Sequence, residues 1–277
     1  MQPSQNNTGI SAPGFLNPVG KFSWFDHAKF GGRVHKEEQP ITRTTDPIVT
    51  GTSVLAIKYK DGVMLACDTL ASYGSLARFR DINRVKAFGK YTVVGASGEY
   101  SDFQELSRVL DDMILEDDIQ EDGNHLTPKA IHSYLSRLLY QRRNKMDPYY
   151  NKLVIGGFYK GESFLGYVDF HGTNFTEKYL ATGYGAYLAL PILRNEHRDD
   201  MTKEEAKQLL DKCLTVLFYR DARALNRYQV ATITAEGPFV SEPYELETNW
   251  NCGNITYKGV KNVAYSTDNN NNATVIN

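Results

Sequence analysis

The chain has little cysteine. Cys67, Cys213 and Cys252 are its only three, too few and too scattered for a disulfide framework or a zinc knuckle. It has no long apolar run: no stretch reaches the roughly 18 apolar residues of a membrane-crossing helix, so no membrane partner is expected. It also lacks a surplus of positive charge. Lys and Arg total 31 against 33 Asp and Glu, a net charge of −2. Binding nucleic acid through its phosphates needs a basic excess, so no nucleic-acid partner is expected either. The six histidines (His27, His35, His125, His132, His171, His197) are dispersed, and none pairs at metal-ligand spacing. Phosphate-cradling glycine loops, H-E-x-x-H and G-x-S-x-G are absent. Neither a cofactor nor a metal is expected. What remains is a reduced, soluble, intracellular protein of ordinary composition, 41% hydrophobic and 23% charged. Its 277 residues allow one domain or two.

Both ends differ from the middle. Residues 1–43 are rich in Gln, Asn, Gly, Pro and Ser and show no sustained apolar period. They lack the basic start and apolar core of a secretory signal. They read as a tail or a removable pro-segment, and Phe15, Phe22, Trp24, Phe25 and Phe30 suit docking on a partner. The far end carries Asn269 to Asn272 in a row, a polar low-complexity tract. Residues 44–250 read as the folded domain and 251–277 as a C-terminal arm.

Within the domain, residues 53–60 and 63–70 are two β-branched, apolar runs, and Asp61-Gly62 between them is a strong hairpin signal. Residues 91–96 read as a third buried strand. Phe103, Leu106, Leu110, Met113 and Ile114 then recur at helical spacing. Thr127-Pro128 is an N-cap followed by proline at the first helical position. That second helix ends in Arg142-Arg143-Asn144-Lys145, where cations suit the helix C-terminus. Strands return at 153–159, 164–170 and 179–182, and helices at 184–193 and 202–219. The last opens with a capping box, Thr202 to Glu205. Its stripe of Ala206, Leu209, Leu210, Cys213, Leu214 and Leu217 makes Cys213 a core thiol. Strands at 228–234 and near Phe239 close the domain. Strands, helix pair, strands, helix pair, strands: this order fits an α+β fold, a four-layer αββα sandwich of two antiparallel sheets flanked by helix pairs.

One constellation carries chemistry. Gly51-Thr52 opens the first strand, and Asp68 ends the second, 16 residues on. With Ala66-Cys67-Asp68, Ser97-Gly98, Gly183-Tyr184-Gly185 and Arg220-Asp221-Ala222, the chain resembles the proteasome β-subunit family of N-terminal-nucleophile hydrolases. The likeness runs from Gly51 to about Phe239. The resemblance implies that a threonine freed by cleavage after glycine would use its hydroxyl as nucleophile and its own α-amine as base. It also implies a lysine 16 residues beyond the Asp. Here that position holds Arg84, which cannot exchange a proton near neutral pH. Tyr184 stands where the family has serine between glycines, and Ala224 where it has a second small hydroxyl residue. Thr52, Asp68, Arg84, Tyr184, Asp221 and Ala224 therefore read as degenerate catalytic positions, with no catalytic residue among them and a structural Asp68–Arg84 pair inside.

The strings Tyr73-Gly74-Ser75-Leu76, Gln141 to Met146, Leu180 to Ala186 and Tyr219 to Arg223 resemble the seventh, non-catalytic β type of that family. The resemblance implies trimming of the pro-segment between Arg43 and Thr44. It implies partners among other proteasome α and β subunits in stacked seven-membered rings, and a location in cytoplasm and nucleus. The alternative is an active threonine peptidase using Thr52. A stretch at 255–265 is expected to reach over a neighbouring subunit.

Overall fold

The computed structural model describes residues 46–250 and the backbone of two strands beyond them, Ala264–Thr267 and Ala273–Ile276. The predicted pro-segment, the bond between Arg43 and Thr44 and most of the predicted arm lie outside the described residues.

Two antiparallel sheets form the centre. The smaller has the order β11-β2-β3-β12-β13, from β2 (Val54–Tyr59), β3 (Gly62–Asp68), β11 (Tyr179–Ala181), β12 (Tyr228–Thr234) and β13 (Gly237–Val240). The larger has the order β10-β9-β8-β7-β1-β4-β5. Its members are β1 (Val49–Gly51), β4 (Ala71–Tyr73), β5 (Leu76–Phe79), β7 (Thr92–Glu99), β8 (Asn151–Tyr159), β9 (Glu162–Asp169) and β10 (Asn174–Thr176). The short β6 (Val85–Phe88) also pairs with β7. The helices are α1 (Tyr100–Ile119), α2 (Pro128–Asn144), α3 (Gly185–Leu188), α4 (Leu190–Glu196) and α5 (Lys203–Arg220). The final strands, β14 (Ala264–Thr267) and β15 (Ala273–Ile276), pair with each other.

Three apolar clusters fill the three interfaces of this sandwich. Val54, Ala56, Val63, Leu65, Val93 and Val154 meet between the sheets. Leu55, Ile57, Met64, Leu210 and Leu214 join the small sheet to α5. Val94, Ile155, Leu106 and Leu135 join the large sheet to α1 and α2. Successive β2 residues thus face opposite clusters, since side chains alternate across a strand. Burial on both faces is why β2 and β3 read as unbroken apolar runs. The predicted αββα order is the one observed.

The predicted caps hold. Thr127 accepts from the Ala130 N–H at 3.1 Å with Pro128 at the first helical position, and Thr202 and Glu205 complete the capping box. One predicted helix is broken: 184–193 divides at Ala189 into α3 and α4. Pro191 has no N–H to give the Tyr187 carbonyl, so the helical hydrogen-bond ladder is interrupted there. The Asp61-Gly62 hairpin shifts by one residue. Lys60 and Asp61 form the turn, while Gly62 pairs with Tyr59 and Thr234 inside the sheet. A Cβ at Gly62 would lie 2.1 Å from the Ile233 carbonyl oxygen, so the glycine marks a close strand approach.

The described domain ends at Trp250, which packs edge-on against Phe218 and Tyr219 at 5.7 and 4.9 Å. Cys67 and Cys213 are fully buried in separate clusters. Burial pushes the Cys67 thiol up to about 11 and the Cys213 thiol up to about 12. The thiolate is the reactive form. Iodoacetamide at about pH 8 should therefore leave both residues unmodified in the native protein and alkylate both in urea, as read by peptide mass mapping.

Candidate active site

Thr52 stands at the junction between the two sheets. The strand before it, β1, belongs to the large sheet, and the strand after it, β2, opens the small one. β1 is paired on both sides: Thr50 and Gly51 with Glu99 and Gly98 of β7, Val49 and Thr50 with Tyr73 and Ser72 of β4. The Glu99 carboxylate fastens it further, accepting from the Ile48 and Val49 N–H groups at 2.5 and 3.1 Å. The residue that precedes Thr52, Gly51, is thus held in a strand paired on both sides.

The Thr52 hydroxyl donates to the Asp221 carboxylate at 2.5 Å. Asp221 closes α5 and is buried, and its other carboxylate oxygen accepts from the Arg223 N–H at 2.9 Å. Asp68 points elsewhere. One of its oxygens pairs with the Arg84 guanidinium and the other accepts from the Leu225 N–H at 3.0 Å. Burial pushes the Asp68 carboxyl above its ordinary value, against the opposing pull of Arg84 and the Leu225 N–H. Its partner is a cation that does not deprotonate, and the pull of that cation favours the ionised carboxylate.

Arg84 is 1% exposed. A guanidinium carries five N–H donors in a fixed fork, and the acceptors here account for all of them. Nε donates to the Asp68 carbonyl at 3.0 Å. One terminal nitrogen donates to the carbonyls of Thr52 at 2.9 Å and Ala96 at 3.2 Å. The other donates to the Ser53 carbonyl at 3.1 Å and to the Asp68 carboxylate. These acceptors come from the β1–β2 junction, the end of β3 and β7, so one side chain ties the two sheets together. A Cβ on Gly51 would sit 2.5 Å from the Arg84 Cδ. The glycine before the threonine is what lets the arginine lie flat there.

The structure thus gathers Thr52, Asp68, Arg84 and Asp221, with Ala224 beside Leu225 in the turn after α5. Tyr184 is not drawn in. Its side chain is 59% exposed at the start of α3. What reaches the junction from that turn is the Gly185 N–H, which donates to the Ser53 hydroxyl at 2.8 Å. Sequence reasoning missed Ser53 and Glu99. Both sit beside motifs it did notice, Gly51-Thr52 and Ser97-Gly98. Their roles are hydrogen bonds to distant backbone, which spacing does not encode. Elsewhere, at the α1–α2 connection, Asp117, Asp118 and His125 bring ligand atoms within 4.8 Å of one another. One Asp117 oxygen already accepts from the Leu126 N–H at 2.9 Å.

The family model described as Proteasome subunit matches residues 48–233. The chain belongs to the proteasome subunit family. It is 50% identical over 218 residues to the proteasome subunit beta type-4 of Xenopus laevis, covering 78% of this chain and 90% of that one. Its identity to the Arabidopsis thaliana beta type-4 subunit is 53% over 213 residues, covering 77% and 87%. With the Saccharomyces cerevisiae subunit named beta type-7 it shares 40% over 204 residues, covering 70% and 77%. The matched span opens at Ile48, so in this proteasome β-type chain it includes β1 as well as Thr52.

Proposed function

We propose that the chain is a non-catalytic structural β subunit of the 20S proteasome core particle. Its partners are other α and β subunits in stacked seven-membered rings. It supports β-ring assembly and ring–ring contact in ATP- and ubiquitin-dependent protein degradation, in cytoplasm and nucleus.

The observation that carries this reading is Arg84: where the resemblance implies a lysine able to exchange a proton, all five of its donors are committed to structural acceptors. An N-terminal threonine nucleophile needs its own free α-amine as base. The Thr52 nitrogen is acylated by Gly51, and Gly51 lies in a strand paired on both sides and fastened by Glu99. Thr52 gains that amine only if the Gly51–Thr52 bond is cut, which the N-terminus of the assembled chain reports. The Thr52–Asp221 hydrogen bond favours the alternative, a threonine peptidase with its hydroxyl held against a carboxylate.

Mass mapping of the chain from purified particles separates the two. The expected N-terminus lies upstream of Thr52, at or near Thr44, and a covalent probe for N-terminal threonine leaves Thr52 unlabelled. A chain that begins at Thr52 and takes up the probe would establish the peptidase.

A further inference from the structure

We propose that β5 is a docking edge for an extended, acidic segment of a neighbouring subunit. This rests on the reading of the chain as a subunit of a larger assembly.

β5 is the last strand in the order of the large sheet, so one side of its backbone meets no strand among the described residues. It is joined to β4 by the Gly74-Ser75 turn and registers Leu76 against Tyr73 and Phe79 against Ala71. Tyr73, Leu76 and Phe79 are 53%, 57% and 42% exposed. Three large apolar side chains on one hairpin are more than scattered surface residues require. A bare strand edge is also a template for another strand.

Charge selects the occupant. Arg78 and Arg80 are exposed on and beside this strand, and no acidic residue occurs from Thr69 to Arg80. The first acid beyond, Asp81, is tied to Arg227 at 3.2 Å. Pairing β5 with β5 of a second copy would bring arginines against arginines, which disfavours self-association. The same arginines favour a strand bearing carboxylates. Backbone hydrogen bonds would supply the docking and alternate side-chain contacts the choice of partner, as in strand addition to a sheet edge.

The test places a photo-crosslinking phenylalanine analogue at Phe79 in the tagged full-length chain and maps its adducts in purified particles. The expected adduct is an extended segment of another subunit containing Asp or Glu. The double variant Arg78→Glu, Arg80→Glu should lower its yield about tenfold. A chain that enters particles but gives no adduct, an adduct without acidic residues, or a yield unaffected by the charge reversal overturns the docking edge alone. A chain that never enters particles overturns the subunit reading and the docking edge with it.

Discussion

Replacing Arg84 by methionine should cost about 3–5 kcal/mol, the scale for leaving a buried charge without its partner. Methionine fits the volume but supplies no donor. The Asp68 carboxylate would keep only the Leu225 N–H. The carbonyls of Thr52, Ser53, Asp68 and Ala96 would each lose a bond from Arg84. Urea unfolding of the full-length chain should show a lower midpoint, and the variant should be depleted from assembled particles. Arg84→Lys should fall between, at about 2 kcal/mol, because an ammonium has three donors for five acceptors. Combining Arg84→Met with Asp68→Leu should recover part of the loss, since the stranded charge is gone. The recovery stays partial because the four carbonyls remain unserved. A catalytic role predicts another pattern, in which Arg84→Lys restores labelling of Thr52 by a threonine-directed probe. A stable Arg84→Met chain would overturn the structural role.

Gly98→Ala should be comparably damaging, at about 3 kcal/mol or more from backbone strain and overpacking together. Gly98 has φ +93° inside β7, and a Cβ there would lie 2.0 Å from the Tyr150 carbonyl oxygen. That oxygen already accepts from the Glu99 N–H at 3.0 Å, so it cannot retreat freely. Gly98 also pairs with Gly51 of β1 on one side and Asn151 of β8 on the other. The strain therefore falls where β1 is fastened. Gly74→Ala is the internal control. Gly74 also has positive φ, +58°, but meets no atom within 4 Å, so its substitution should cost only about 1–2 kcal/mol. Equal urea midpoints for the two variants would mean that the close approach to Tyr150 yields without cost.

The difference between these two glycines shows where sequence reading ends. Both stand in short polar contexts, and only the neighbouring carbonyl separates them. The long elements were legible because their signals are local. The capping box and apolar stripe of α5 lie within one segment, as do the runs of β2 and β3. β1, β4, β5, β6 and β10, with three or four residues each, are too short to show a period, and none of these five was expected. The break at Ala189 could have been inferred from Pro191, but the apolar spacing outweighed it.

By itself the sequence determined the αββα order, the capped helices, the likeness to proteasome β subunits and the departures at Arg84, Tyr184 and Ala224. Tertiary structure decided what those departures do. Arg84 replaces a lysine on paper. In the fold it becomes a five-bonded tie between two sheets, because its acceptors come from the β1–β2 junction, β3 and β7. Asp68 and Thr52 lie 16 residues apart in the sequence, yet their carboxylate and hydroxyl turn to different partners, Arg84 and Asp221. β1, which carries no signal of its own, places Gly51 and Thr52 beside the site by pairing with strands up to 49 residues away. Periodicity records which face a residue shows to the core. Which distant groups meet at that face depends on how the strands are ordered, and that order exists only in the folded chain.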